Sequence, residues 1–176
     1  MERLEKIFLD SYNAHSDEIF RFVLFKLNDR EKAKDIVQDV FMKTWLYISK
    51  NGRIDNMRAF LYKTASNTVI DEYRKQYRRE NKDESLETLS EEFGYDPGFD
   101  DTDSLIDKID GEQAMKLIKE LPEVYAEVLF LKYMENKNIS EIAEITKQSN
   151  NTISVQINRG IKKLKEIIKD RFESTI

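Results

Sequence analysis

The fold is decided by two short segments near the end of the chain, Ile139-Ser-Glu-Ile-Ala143 and Thr152-Ile-Ser-Val-Gln-Ile-Asn-Arg-Gly-Ile-Lys-Lys-Leu164. Both segments place apolar residues at helical spacing, and only a few polar residues separate them. The small side chain of Ala143 would let the two helices cross closely. This pattern is typical of a helix-turn-helix, whose second helix enters the major groove of DNA. Duplex DNA is therefore the first partner that the sequence indicates.

The second of these helices is predicted to have two different faces. Its inner face would hold Ile153, Ile157 and Ile161. Its outer face would carry side chains that can pair with base edges and phosphates. We expect that outer face to consist of Ser154, Val155, Asn158, Arg159 and Lys162. A helical hairpin with a solvated basic face would show the same pattern, so the segment alone leaves both interpretations open.

Composition favours small helical domains. A chain of 176 residues can form one domain or two small ones, and its 10 Phe and 8 Tyr can fill a core. Two Pro and five Gly are too few for a turn-rich all-β fold. The absence of Cys excludes disulfides and thiolate metal sites. No signal peptide or membrane-spanning run is recognisable, so we expect a cytoplasmic protein without membrane insertion.

The net charge of −5 is unevenly distributed along the chain. Residues 1–82 contain 17 basic and 13 acidic side chains, whereas residues 83–110 contain one basic and 11 acidic ones. Residues 111–176 contain 11 basic and 10 acidic side chains. The middle segment lacks helical periodicity and contains Pro97 and two Gly, which predicts a flexible acidic linker. The overall acidity therefore does not argue against DNA binding by the two ends.

Residues 1–82 are predicted to form three helices. The apolar spacing indicates helices over 3–28 and about 31–49, separated by Asn28-Asp29. A third helix would begin with Asp55 or Asn56 as its cap and would end near Arg79. In the last third of the chain, Leu121-Pro122 is expected to begin the helix that precedes the helix-turn-helix.

Two helical surfaces in the first half permit two interpretations each. One surface consists of Asp35, Gln38, Asp39 and Met42, which is either a solvated acidic face or a protein docking surface. The other is the segment 71–79, where Tyr73 and Tyr77 alternate with cations. Aromatic rings beside cations suit exposed bases and phosphates, but cations also stabilise the end of a helix.

Catalytic and cofactor motifs are missing from the sequence. His15 is the single His, and a lone His is more often structural than catalytic. The five scattered Gly form no phosphate-binding loop. We therefore expect no catalytic residues, no metal site and no cofactor.

Three motifs in this order resemble the extracytoplasmic-function class of bacterial RNA polymerase sigma factors. The segment 33–45 is similar to the polymerase-binding helix of that family, and the segments 58–67 and 70–74 are similar to its promoter-melting helix. Leu121-Pro122 and the helix-turn-helix resemble its C-terminal domain. The resemblance implies an all-α protein with sigma domain 2 over 1–82, the acidic linker over 83–110, and sigma domain 4 over 111–176.

The resemblance also implies roles for individual residues. Asp35, Gln38, Asp39 and Met42 would dock on the clamp helices of the polymerase β′ subunit, with further contacts to the β subunit. The loop 49–58 and the third helix would hold an unpaired base of the promoter −10 element, through Arg53, Arg58, Tyr62, Lys63, Asn67, Asp71, Arg74, Lys75 and Arg78. The −35 element would be read by Thr152, Ser154, Val155, Asn158, Arg159 and Lys162.

The chain departs from the family pattern within the helix-turn-helix. Lys147 stands where Gly is usual, Gln148 and Asn150 replace apolar residues, and Gly160 lies inside the second helix at a cost of about 1 kcal/mol relative to Ala. We therefore predict weak −35 binding and promoter choice that relies on the first domain or on an accessory recruiting factor. The family also implies an anti-sigma protein as a partner. A dimeric helix-turn-helix regulator and a helical adaptor without a nucleic-acid role are the rival interpretations.

Overall fold

The computed structural model describes residues 2–80 and 110–173, which form two compact units. Every regular element in these ranges is helical, so the predicted all-α fold class is confirmed for the described residues. The predicted acidic linker over 83–110 lies outside the described residues except for Asp110, and the domain boundary near 82 therefore stays a prediction.

The first unit is a bundle of three long helices. These helices are α1 (Glu2–Leu27), α2 (Arg30–Asn51) and α3 (Met57–Glu80), and each packs against the other two. Their apolar faces meet in a core whose side chains are almost completely removed from water. This burial of apolar surface is the main contribution to the stability of such a bundle. The core includes Ile19, Phe22, Val23, Ile36, Val40, Ile48, Leu61 and Ala65.

Caps and left-handed residues define where these helices begin and end. Asn28 adopts a positive φ of 54°, and the Asp29 side chain then accepts a hydrogen bond from Lys32 N at 3.1 Å. Gly52, with φ 82°, ends α2 in the left-handed conformation. The cap of α3 is Asn56, whose Oδ1 accepts from Ala59 N at 2.9 Å. The two helix starts are thus set by acidic or amide caps that the sequence displays.

The second unit contains four helices and a short π-helical turn. These are α4 (Gly111–Lys119), α5 (Glu123–Leu129), the π turn over Phe130–Met134, α6 (Ile139–Thr146) and α7 (Asn150–Glu173). Pro122 immediately precedes α5, where its missing N–H costs no hydrogen bond. The long helix α7 packs against α4, α5 and α6. The core includes Ile118, Leu129, Leu131, Ile142, Ile153, Ile161 and Leu164.

A capping box fixes the start of α6. The Asn138 side chain accepts from Glu141 N at 3.0 Å, and the Glu141 carboxylate accepts from Asn138 N at 2.9 Å. Two backbone donors that the helix itself leaves without partners are satisfied in this way. The first helix of the helix-turn-helix therefore begins at a defined residue.

Candidate nucleic-acid and protein interfaces

The turn of the helix-turn-helix keeps a left-handed residue although no Gly is present. Lys147 ends α6 with φ 59° and ψ 36°, and Gln148 N donates to Ala143 O at 3.1 Å. A side chain with a Cβ atom adopts this conformation at a cost of about 1 kcal/mol. The unusual residue therefore leaves the turn geometry in place and lowers its stability.

Polar contacts connect the two helices across this turn. The Ser149 side chain caps the start of α7, because its Oγ accepts a hydrogen bond from Thr152 N at 3.1 Å. Ser149 Oγ also lies 2.8 Å from Thr152 Oγ1. Asn150 Nδ2 donates to Ser140 Oγ at 3.3 Å and so joins α7 to α6. One of these hydrogen bonds thus comes from Asn150, a position where the sequence resemblance led us to expect an apolar residue.

The exposed stripe of α7 is narrower than the sequence predicts. Asn158 and Lys162 are exposed, and Ser154 is half-buried with its Oγ donating to Asn150 O at 3.0 Å. Thr152 and Arg159 are half-buried. Asn151 is exposed one turn before Ser154 and was missed, although its spacing of three and seven residues from Ser154 and Asn158 could have revealed it.

The prediction that Val155 lies on the outer face of α7 is wrong. Its side chain is only 8% exposed. The reason is that α7 packs against three other helices, which buries a wider arc of its surface than a single hairpin partner would. Val155 belongs to this arc and is a core residue rather than a candidate for reading bases.

A polar and cationic stripe runs along α3. Its members are exposed and recur at every helical turn, so they share one side of the helix. The stripe consists of Lys63, Asn67, Asp71, Arg74 and Arg78, with Lys75 exposed beside it. Arg74 Nη1 lies 3.6 Å from Asp71 Oδ1, but both side chains are more than half exposed, so this ion pair contributes little stability. The stripe therefore presents more positive than negative charge to solvent.

Exposed apolar residues accompany this stripe. Ile70 is 44% exposed and lies three residues after Asn67. Tyr73 is also exposed, and its hydroxyl donates to Lys26 O at 2.5 Å. Ile70 was missed by the sequence reasoning, although an aliphatic side chain at this helical spacing beside cations is a recognisable signal.

Two arginines lie near the start of α3. Arg53 is almost fully exposed in the loop after α2, where its Nε lies 3.2 Å from Asp55 Oδ1. Arg58 is in the first turn of α3, and its side chain is 39% exposed. Both can therefore reach a ligand from the loop side of the bundle.

The prediction that Tyr62 contacts the −10 element is wrong, because its side chain is fully buried. Its ring packs on Phe22 with centroids 5.0 Å apart, and its hydroxyl donates to Glu18 Oε2 at 3.4 Å. Position 62 faces α1 rather than solvent. Tyr62 is therefore a core residue that joins α1 to α3, not a contact for a DNA strand.

The outer face of α2 is exposed along two turns. Asp35, Gln38, Asp39 and Met42 all reach solvent, as their spacing predicts. The side chain of Met42 is 57% exposed, so a large apolar residue lies at the surface beside these acids. This face therefore combines negative charge with accessible apolar area.

An apolar groove between α1 and α2 adjoins this face. It has a volume of ≈650 Å³, and its floor is formed by Phe8, Phe41 and Trp45. The centroid of the Phe8 ring lies 5.4 Å from the ring centroid of Trp45 and 6.3 Å from that of Phe41. Its margins include Glu5, Leu9, Tyr12, Gln38 and Met42. The groove was not predicted, because it needs the register between two helices that the sequence alone does not give.

Known proteins similar to this chain are sigma factors. Residues 11–79 match the family model described as sigma-70 region 2, and residues 111–164 match the model described as sigma-70, region 4. The RNA polymerase sigma factor SigV of Bacillus subtilis (strain 168) is 29% identical over 149 residues, covering 84% of this chain and 82% of SigV. The ECF RNA polymerase sigma factor SigW of the same organism is 26% identical over 168 residues, covering 93% of this chain and 89% of SigW.

A solved structure shares the fold. It is the co-crystal structure of the sigma factor RpoE in complex with the anti-sigma factor NepR from Bartonella quintana. Its TM-score is 0.64 at 20% sequence identity, and the match covers 93% of this chain and 98% of that one.

Two helical units, one with a helix-turn-helix and one with an exposed cationic stripe on α3, are those of a DNA-binding protein of the transcription machinery. With both matched regions covering more than half of its length, the chain belongs to the sigma-70 family, in the extracytoplasmic-function class. It is an alternative sigma factor that directs transcription initiation by RNA polymerase. Among the described helices, none has the length and apolar character that crossing a bilayer requires.

Proposed function

We propose that the first unit has two binding functions on two different helices. It binds core RNA polymerase through α2, and it binds an opened promoter strand through α3. The observation that carries this proposal is the combination, within one helical bundle, of an acidic and apolar docking face with an exposed cationic stripe. The acidic face would repel DNA, so we assign it to a protein partner.

The docking surface would bind the clamp helices of the polymerase β′ subunit. Burial of Met42 and of the groove floor would provide the apolar part of the interface, while Asp35 and Asp39 would select a partner with basic side chains. Gln38 lies on both the outer face and the groove margin, so it connects the two parts. Additional contacts would involve the polymerase β subunit.

The stripe on α3 would stabilise an unpaired strand of the −10 element. Taking a base out of a duplex costs a few kcal/mol, so the open strand needs compensating contacts. Asn67 offers an amide for a base edge, and Lys63, Arg74, Lys75 and Arg78 offer charge for phosphates. Arg53 and Arg58 would extend this surface to the loop before α3, and Asp71 would order Arg74. Tyr62 takes no part, because it is buried.

The helix α7 would read the −35 element only weakly. The exposed stripe offers Asn151, Ser154 and Asn158 to bases and Lys162 to phosphates, while Thr152 and Arg159 flank it. Few of these side chains are long enough to form bidentate contacts with base edges. We propose that promoter choice depends mainly on the first unit or on an accessory recruiting factor.

No chemical step is assigned to this chain, since polymerisation belongs to its partner. An anti-sigma protein is proposed as an inhibitory partner that would cover the same surfaces, and the site of action would be the cytoplasm.

Run-off transcription tests the proposal. Purified core RNA polymerase is incubated with this chain and a pool of genomic promoter fragments, and the transcripts are mapped. We expect new start sites that depend on this chain. A chain that co-elutes with core polymerase yet produces no start site, even with cell extract added, would contradict the assigned role in promoter opening.

A further inference from the structure

Glu18 is a buried acidic side chain that none of the surfaces described above uses. It lies in α1, and only 8% of the residue is exposed. Its carboxylate is 2.5 Å from His15 Nδ1, 3.4 Å from the Tyr62 hydroxyl and 3.6 Å from Arg58 Nε. A buried carboxylate is costly unless donors or cations surround it. The carboxylate therefore occupies a site that connects α1 with the first two turns of α3.

Arg58 extends from this buried site to the surface. Its Nε atom is buried 3.6 Å from Glu18 Oε1, an ion-pair distance at which these two atoms form no hydrogen bond, while 39% of its side chain remains exposed. A guanidinium group is planar, and its N–H donors have fixed relative directions. The ion pair with Glu18 at the buried Nε edge therefore restricts the directions in which the rest of the group can point.

The acid beside Arg58 has a cost for DNA binding. A negative charge 3.6 Å from a cation that binds phosphate weakens that binding through Coulomb repulsion. An apolar residue at position 18 would leave the Tyr62 hydroxyl and Arg58 Nε without this partner, so the acid also contributes to stability. The acid is useful if the direction of Arg58 matters more than the charge that it cancels.

We propose that Glu18 is a positioning residue for promoter opening, which directs Arg58 toward the unpaired −10 strand. This role rests on the proposed function of α3. It adds a residue of α1, distant in sequence from α3, to the machinery that holds the open strand. It also gives a reason for a charged residue inside the bundle.

The test measures binding of a fork DNA to the assembled holoenzyme. The fork carries the unpaired −10 strand of a promoter recovered by run-off transcription, and binding is followed by fluorescence anisotropy. The variants are Glu18→Gln, Arg58→Ala and the double variant. Glu18→Gln keeps the size and the acceptor for Tyr62 but removes the charge facing Arg58. We expect it to weaken fork binding by roughly three- to tenfold.

The double variant and a matched control separate positioning from other effects. The double variant should bind no more weakly than Arg58→Ala alone, because Glu18 acts through Arg58. Asp17→Asn removes the same charge from the exposed neighbouring residue and should leave binding unchanged or slightly stronger. A Glu18→Gln effect equal to that of Asp17→Asn, or a loss that adds to that of Arg58→Ala, would overturn the positioning role.

Failure of the proposed function gives a different result. If Arg58→Ala binds the fork like the native chain, Arg58 does not hold the strand and the positioning role is overturned with it. If Glu18→Gln does not fold, Glu18→Asp applies the same test, since it keeps the charge and withdraws the carboxylate by one methylene. Its loss of binding should likewise disappear in the Arg58→Ala background.

Discussion

Gly160 on α7 lies so close to Leu129 on α5 that a Cβ atom at position 160 would be 3.1 Å from Leu129 Cδ1. The same atom would be 3.1 Å from Tyr125 Cβ. Helix propensity alone predicts that Ala would be about 1 kcal/mol better than Gly here. Close packing opposes this gain in helix propensity, because the missing side chain allows α7 to approach α5 closely.

Substitutions at Gly160 should therefore not follow helix propensity. Gly160→Ala should change the free energy of unfolding by less than about 1 kcal/mol, since the tight contact offsets the gain in propensity. Gly160→Val should lower it by about 1–3 kcal/mol through overpacking. Chemical denaturation measures both values. Gly111→Ala, where a Cβ atom would meet nothing within 4 Å, is the control. A clearly stabilising Gly160→Val would show that the helices are not in contact there.

Replacing Gln156 with an apolar residue should stabilise the second unit. It is 1% exposed, and within the described residues neither of its amide atoms has a hydrogen-bond partner. A buried amide without partners costs about 1–3 kcal/mol. We predict that Gln156→Met raises the free energy of unfolding by about 1 kcal/mol. Asn151→Met, on the exposed side of the same helix, controls for propensity. A strong loss of stability in Gln156→Met would mean that the amide is satisfied.

Lys147→Gly should stabilise the second unit. Lys147 has a positive φ of 59°, which Gly adopts without the steric cost that a Cβ atom brings. We expect a gain of about 1 kcal/mol in the free energy of unfolding. Asn136→Gly is the matched comparison, because Asn tolerates its φ of 51° better and should gain less. Equal effects at both positions would argue against strain at Lys147.

Asn67→Ala should separate strand opening from duplex binding. Asn67 is exposed in the middle of the α3 stripe, and its amide is proposed to contact an unpaired base. We predict that the variant holoenzyme retains duplex promoter binding within about twofold and opens the promoter about tenfold less well. Permanganate reactivity of unpaired thymines measures opening. Equal loss of both activities would contradict the assigned contact with an open strand.

Local signals in the sequence were sufficient to predict the three helices of the first unit. Caps at Asp29 and Asn56 and the breaker at Gly52 are short-range features, so they could be recognised without a structure. The four residues on the outer face of α2 were also placed correctly, since that helix has one buried side and one exposed side.

Errors arose where a residue's environment depends on several neighbours. Val155 and Tyr62 were expected at interfaces, but α7 contacts three helices and position 62 faces Phe22 and Glu18. The groove over Phe41 and the connection from Glu18 to Arg58 depend on how two helices are aligned. Helical periodicity predicts the faces of single helices and does not predict that alignment.

The most direct test of the account is the affinity of this chain for core RNA polymerase when the α2 face is reversed in charge. Asp39→Arg should weaken binding to core polymerase by at least about 100-fold, because an exposed acid would be replaced by a cation facing a basic partner. Its melting temperature should be unchanged, and Asp17→Arg on α1, outside the groove lining, should bind like the native chain. Native affinity in a folded Asp39→Arg variant would contradict the proposed docking surface.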